Sequence, residues 1–208
     1  MKRLAILGAS GHGKVVADIA ECCGWEEIAF FDDAFPQKTT QEGWSIVGNT
    51  KAFLSSMNDY DGCIVAIGNN VTRLDKTRFL ISSGAPIISL IHPSAVVSKY
   101  SSIELGSVVM ANAVINSFSK IGLACIVNTS ATIDHDCELM EAVHVSPGSN
   151  LAGSVTVKEC TWIGIGASVN QCLSIGKNVI IGSGSVVIND ISDNVLAVGI
   201  PSKVIKRF

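Results

Sequence analysis

The chain has 208 residues, 48% of them hydrophobic and 16% charged, with a formal net charge of −3. That length allows one large domain or two small ones. No apolar run approaches the roughly 18 residues a spanning helix needs, and no basic stripe is visible, which argues against membrane insertion and against nucleic acid as a partner. The seven cysteines form no C-x-x-C pair, so reduced thiols are expected rather than a disulfide framework or a zinc site.

The opening run, Met1 to Gly8, is apolar over only a few residues, and Gly-Ala-Ser-Gly-His-Gly-Lys follows at once. It is expected to be a first strand over Arg3–Leu7, not a secretion leader. Residues 11–23 carry Val15, Val16, Ile19 and Ala20 at helical spacing. Residues 28–31 predict a second strand ending in Asp32-Asp33. Residues 34–43 predict a polar loop, 46–47 a short strand and 51–56 a turn or two of helix. A strand is expected over 63–67, stopped by Gly68-Asn69-Asn70. A helix over 71–83 follows, with Gly84 as its C-cap, and then a last strand over 86–90. Alternating strands and helices predict an α/β Rossmann-like domain over residues 1–90. Its Gly8-x-x-Gly11-x-Gly13 turn, between strand and helix, suits phosphate. Asp32 lies 19 residues after Gly13, near where an acidic residue meets a ribose in dinucleotide folds. Taken alone, this half points to NAD.

From Ile91 to Val187 every sixth residue is aliphatic, and four residues after each sits a second, uncharged column. A period of six predicts a parallel β-helix over residues 91–195. Each hexad is a short strand plus a corner. Three hexads complete a turn, so residues 18 apart stack on neighbouring rungs. The period breaks at Pro201, within a C-terminal tail of residues 196–208. Such a domain offers no partner site for hydride transfer, which weighs against NAD.

There are four histidines, His12, His92, His135 and His144. Histidine is the natural base near neutral pH. His135 lies in the densest polar stretch, Asn128-Thr129-Ser130-Ala131-Thr132-Ile133-Asp134-His135-Asp136. The residue 18 positions on is Gly153, whose backbone N–H would sit beside the imidazole and suit an oxyanion. Asp136 would fix the His135 tautomer and raise its pKa. The competing reading is an exposed loop histidine beside a solvated carboxylate. His144 is half a turn further on, and either lies on the surface or faces a cofactor held between subunits. His92, before Pro93, reads as structural.

The repeat resembles that of the hexapeptide-repeat acyltransferases. Ile121-Gly122-Leu123-Ala124-Cys125, Ile163-Gly164-Ile165-Gly166-Ala167 and Ile181-Gly182-Ser183-Gly184-Ser185 fit it closely, and Gly199-Ile200-Pro201-Ser202-Lys203 is similar to the family's usual ending. The resemblance implies a left-handed β-helix, a homotrimer, and acetyl-CoA as co-substrate between subunits. One branch is similar over nearly the whole chain: the nucleotide-linked 4-amino-sugar N-acetyltransferases together with sialic acid O-acetyltransferase-like proteins. Gly8-Ala9-Ser10-Gly11-His12-Gly13, Asp32-Asp33, Ala66-Ile67-Gly68-Asn69-Asn70, Asn128-Thr129-Ser130, His135-Asp136 and His144-Val145-Ser146 carry that likeness, in order.

By this resemblance His135 is the general base and Asp136 tunes it, although the amino-sugar members carry the longer Glu there. His144 and the Gly153 amide contact the acetyl thioester, and Ile165 and Ser183 lie along the CoA arm. Ser10, Gly11 and His12 contact the diphosphate or sugar, Asp32 and Asp33 the nucleoside, and Gly68 the same ligand. No metal is implied. The expected activity is cytoplasmic N-acetylation of a nucleotide-linked 4-amino-sugar for bacterial surface glycans. O-acetylation of sialic acid, a zinc lyase of the same prism fold and a non-catalytic nucleotide-sugar-binding module stand as alternatives.

Overall fold

Leu4 to Leu7 are four consecutive buried residues, the pattern of a strand covered on both faces. In the computed structural model, which describes residues 2–208, they belong to β1 (Arg3–Leu7). The sheet is completed by β2 (Glu27–Phe31), β3 (Thr40–Gln41), β4 (Trp44–Gly48) and β5 (Gly62–Val65), in the order β3-β4-β2-β1-β5. All but β3 run parallel. Helix α1 (Gly11–Cys22) connects β1 to β2, α2 (Thr50–Ser56) lies between β4 and β5, and α3 (Asn70–Ser82) follows β5. α1 turns Val16, Ile19 and Ala20 inward and leaves Val15 outside. Gly84, at φ +78°, follows the end of α3. A short strand β6 (Leu90–Ile91) ends this first compact unit, Met1–His92.

Two expectations for this unit need correction. Residues 34–43 are not all loop, because Thr40–Gln41 pairs antiparallel with β4. A two-residue strand is too short for alternation to show in sequence. Residues 86–90 do not form a full strand. Residues 86–89 make one bridge, Ile87 to Cys63, flanked by Cys63 N–H to Pro86 O (2.8 Å) and Ile88 N–H to Cys63 O (3.0 Å), and Leu90 opens β6. Pro86 has no N–H with which to extend the ladder.

The second unit, Pro93–Phe208, is a left-handed parallel β-helix. Two-residue strands start every six residues, from β7 (Val96–Val97) to β22 (Val186–Val187). They stack into three faces. The first holds β7, β10, β13, β16, β19 and β22, the second β8, β11, β14, β17 and β20, and the third β9, β12, β15, β18 and β21. The register is 18 residues per rung, as in Val114 to Thr132 to Asn150. One residue of each strand points inward, and the column Ile121, Val127, Ile133, Leu139, Val145, Leu151, Val157 and Ile163 is at most 1% exposed.

The second inward column must be small, and its polar members are satisfied internally. Ser107 Oγ donates to Gly122 O (2.8 Å), Ser149 Oγ to Gly164 O (2.7 Å) and Thr161 Oγ1 to Gly176 O (2.6 Å). A buried hydroxyl with such a partner avoids the desolvation penalty. Corners repeat a left-handed residue: Asn112, Phe118, Ala124, Ser130 and Asp136 have φ between +55° and +62°. Asn and Asp tolerate this region best, whereas a bulky Phe is unusual there. Residues 196–208 are not a loose tail. β23 (Val195–Val198) pairs parallel with β21, and β24 (Lys203–Arg207) folds back antiparallel on β23.

Ile180 and Ile181 are neighbours in β21 (Ile180–Ile181), 41% and 0% exposed. Ile181→Ala should cost about 2–5 kcal/mol in denaturant unfolding, whereas Ile180→Ala should cost less than about 1 kcal/mol.

Candidate active site

His135 occupies the corner after β13 (Thr132–Ile133). Three contacts shape that corner. Asp134 Oδ1 accepts the His135 backbone N–H at 2.8 Å and the Asn116 Nδ2–H at 2.8 Å. Ser119 Oγ donates to Asp134 O at 2.5 Å. Asp136, at φ +57°, turns its carboxylate back so that Oδ2 lies 2.7 Å from His135 Nδ1. The shorter side chain therefore does reach the imidazole, because the left-handed backbone brings the carboxylate round. The Asp136 hydrogen bond, then the Asp134 charge, hold the His135 pKa above 6.5. With Nδ1–H donating to Asp136, Nε2 is the nitrogen that takes up a proton.

The rung above explains the glycine. A Cβ on Gly153 would stand 2.6 Å from both Cε1 and Nε2 of His135. Only glycine lets the ring lie against that backbone. Rung-to-rung hydrogen bonds here run from Ala152 N–H to Val169 O (3.0 Å), from Ser154 N–H to His135 O (2.8 Å) and from Cys172 N–H to Gly153 O (2.9 Å). The structure thus brings His135, Asp136 and Gly153 into one constellation.

His144 is elsewhere. It lies in β15 (His144–Val145) on the third face, only 8% exposed. Its ring packs on Trp162, one rung on, with centroids 4.7 Å apart. Asn128 Nδ2 lies 3.1 Å from His144 Nε2, and Trp162 Nε1–H donates to Ser146 Oγ at 2.7 Å. Along the same face, Trp162, Gly164, Ile165, Ile180, Ile181, Gly182 and Ser183 line an apolar cleft of about 340 Å³. Ile165 and Ser183 therefore share one groove. The His135 corner joins the first and second faces, so within one protomer it stands opposite the third face with His144 and that groove.

In the first unit, a cavity of about 260 Å³ is lined by Leu7, Gly8, Ser10, Phe31, Asp32, Asp33, Thr50, Ile67 and Lys76. Ser10, Asp32 and Asp33 thus converge. Asp32 is engaged by the fold: Oδ2 accepts Ala9 N–H (2.7 Å) and Oδ1 accepts Ala34 N–H (2.9 Å). It pins the glycine turn rather than standing open. Asp33 Oδ1 accepts from Thr50 N–H (2.9 Å) and Oγ1–H (2.7 Å), while Lys76 Nζ meets its Oδ2 at 3.1 Å. The Thr50 backbone bond first, and then Thr50 Oγ1 and Lys76, hold its pKa down against the burial that raises it.

Gly8 and Gly13 are packing glycines, since a Cβ would meet Ala66 O from one and Gly8 O from the other. Gly11 and Gly68 face open space. Arg73, 1% exposed, holds the loop before α3 by donating to Ile67 O (3.0 Å) and Gly68 O (3.1 Å). The His12 ring is only partly exposed, and its Nε2 is enclosed without a hydrogen-bond partner. Burial, and secondarily the Arg73 charge, push its pKa down to about 4.

Thr50, Lys76, Asn128 and Trp162 escaped the site assignment from sequence. Trp162 was within reach, because it is His144 plus 18 and the repeat stacks the two. Thr50 and Lys76 gave no such signal, since they come from different helices of a non-repeating domain. Among the described residues, no group of three or more His, Cys, Asp or Glu side chains is arranged to hold a metal ion.

A family model described as the PglD N-terminal domain matches residues 3–78. Perosamine N-acetyltransferase (PerB) from Caulobacter crescentus, solved with CoA and GDP-perosamine, superposes with a TM-score of 0.94 at 38% identity, covering 99% of this chain and 98% of that one. The acetyltransferase domain of PglB from Neisseria gonorrhoeae, solved with acetyl coenzyme A, gives 0.93 at 41% identity, over 98% and 99%. The chain belongs to the hexapeptide-repeat sugar acetyltransferase family. UDP-N-acetylbacillosamine N-acetyltransferase of Bacillus subtilis is 38% identical over 114 residues, 53% of this chain. That match spans about half the length of the curated relative, 52%.

Gly153→Ala should lower turnover of the cognate acetyl transfer about 10–100-fold by swinging the imidazole aside, with the unfolding midpoint nearly unchanged because the displaced ring is exposed. Below pH 6.5 an unfolded His12 binds a proton that the folded one refuses until about pH 4. Stability should fall across that window by up to about 3 kcal/mol and level off below it. His12→Asn should remove that share of the slope, read as urea midpoints of both proteins at pH 7 and pH 4.5.

Proposed function

We propose that the chain is an acetyl-CoA-dependent N-acetyltransferase acting on a nucleotide-linked 4-amino-sugar, working in the cytoplasm on precursors of bacterial surface glycans. The observation that carries this reading is the Gly153 backbone lying against His135 Nε2, with Asp136 at 2.7 Å behind Nδ1. A poised base and a backbone N–H on the next rung are what acyl transfer needs. The solved relatives with CoA, acetyl coenzyme A and GDP-perosamine support the choice of co-substrates.

The sugar amine attacks the thioester carbonyl, and His135 Nε2 accepts the amine proton. Asp136 stabilises the imidazolium. The Gly153 N–H stabilises the tetrahedral oxyanion, which collapses to the amide and expels the CoA thiolate. The imidazolium proton then passes to that sulfur. The apolar groove over Ile165 and Ser183 takes the pantetheine arm. The N-terminal unit holds the nucleotide, with the diphosphate near Ser10 and Gly11 at the start of α1, where helix N–H groups favour anions, and the nucleoside near Asp33, Thr50 and Lys76. His12 and Gly68 border the same ligand.

Because His144 and the groove stand opposite His135 in one protomer, a complete site takes the base from one copy and the thioester face from another. A homotrimer, with three equivalent sites, satisfies this by closed symmetry.

The test is release of free thiol from acetyl-CoA with UDP-, GDP- and dTDP-linked 4-amino-sugars and with sialic acid. Release with an amino-sugar is expected. Release with sialic acid alone would replace the reading by O-acetylation, and release with none would leave a binding module. His135→Ala should lower kcat about 10²–10⁴-fold with nucleotide-sugar binding retained. The base works only when neutral, so kcat/KM should rise with pH through a pKa above 6.5. Asp136→Asn should move that rise to lower pH.

A further inference from the structure

The corner that carries His135 recurs on every rung, and its side chains differ on the two sides of the base. In the column of Asp136, the two rungs before it hold Phe118 and Tyr100, and the two after it hold Ser154 and Cys172. The 18-residue register makes these neighbours. Asp136 N–H donates to Ser117 O at 3.1 Å, next to Phe118, and Ser154 N–H donates to His135 O at 2.8 Å. We infer that Phe118 and Tyr100 form an aromatic platform on which the pyranose ring of the acceptor sugar lies, which makes them specificity-determining residues. The identity of the occupant rests on the acetyltransferase reading.

The platform is ordered and open. Phe118 lies in the corner between β10 (Val114–Ile115) and β11 (Lys120–Ile121), and its ring stacks on Tyr100 with centroids 5.4 Å apart and planes 24° apart. The two residues are 61% and 58% exposed. Ser98 Oγ, 3.2 Å from Ser117 Oγ, accepts the Tyr100 backbone N–H at 3.3 Å, and Lys99 Nζ stands 4.9 Å from the Tyr100 ring centroid. Phe118 also has φ +62°. A bulky residue there is strained, and such strain persists where function requires the side chain. Packing within the protomer does not offset it, because the ring is mostly in solvent.

The chemistry of the corner selects the occupant. The thioester carbonyl belongs at the Gly153 N–H, one rung after the base. The sugar amine must meet His135 Nε2, so the sugar takes the side that the thioester leaves free, toward the rung of Phe118. Rungs are about 4.8 Å apart, so a pyranose whose amine reaches the base extends over Asp136 onto the Phe118 ring. A pyranose offers a face of C–H groups with its hydroxyls at the edge. That face suits an aromatic surface, whereas the negative face of a ring repels a phosphate.

The experiment is titration calorimetry on the full chain without acetyl-CoA, comparing UDP, GDP and dTDP with their 4-amino-sugar conjugates, beside thiol release with acetyl-CoA present. In wild type one conjugate should bind more tightly than its bare nucleotide. Phe118→Asn removes the ring and suits the left-handed backbone, so the unfolding midpoint should hold or rise. It should weaken that conjugate about 5–30-fold and raise its KM alike, with bare-nucleotide affinity, acetyl-CoA KM and oligomeric mass as in wild type. Tyr100→Ser should act in the same direction but less, and Phe118→Tyr, which keeps a ring, should restore most of the affinity. Unchanged conjugate affinity in Phe118→Asn overturns the platform, as does a wild type that binds bare nucleotides and conjugates alike. A variant that falls to a smaller oligomer also overturns it, because the rings then pack against another copy. The expected affinities without thiol release from wild type overturn the acetyltransferase reading and leave the platform standing.

Discussion

The second unit depends on one constraint: each rung must hydrogen-bond to the rung 18 residues on. Two-residue strands cannot hold a register alone, so the corners fix it. They do so with a recurring left-handed residue, at φ +58° in Asn112, +56° in Ser130 and +57° in Asp136. The same geometry that closes a rung at Asp136 aims its carboxylate at His135. The candidate catalytic pair is a corner of the repeat with particular side chains added to it. That explains how so exposed a pair is held in place: Asn116, Asp134 and Ser119 brace it from the neighbouring rung and from within.

Electrostatic environment then separates three histidines of similar intrinsic chemistry. His135 stands in solvent beside two carboxylates and binds a proton more readily than a free imidazole. His12 is enclosed near the Arg73 guanidinium and binds one far less readily. His144 is sandwiched in the third face, with an amide on one nitrogen. A hydrogen-bonded carboxylate decides the first case and burial the second.

The N-terminal unit has a different economy. Much of its polar machinery holds the loops at the strand ends rather than facing outward. Asp32 spends both carboxylate oxygens on backbone N–H groups, and Asn69 caps α3 through Thr72 N–H at 2.9 Å. Arg73 ties down the carbonyls of Ile67 and Gly68. The cavity and its rim are left to Ser10, Gly11, Gly68, the outer side of Asp32 and the Asp33–Thr50–Lys76 group. Motifs that look like ligand contacts in sequence divide here into those that shape the cavity and those that face it.

The sequence by itself determined the β-helix, its 18-residue register and the meeting of His135 with Gly153, because a repeat converts sequence separation directly into spatial neighbourhood. It also determined the strand–helix alternation of the first unit, where hydrophobic period is a local property. It missed β3, which is too short to show alternation, and it extended a strand over residues 86–90, where Pro86 lacks the N–H for a ladder. Only the tertiary structure decided that Asp136 reaches the imidazole, since that depends on a backbone dihedral at one corner. It alone showed that Asp32 is engaged while Asp33 faces Lys76, and that Asn128 meets His144. These are contacts between side chains whose directions no period encodes.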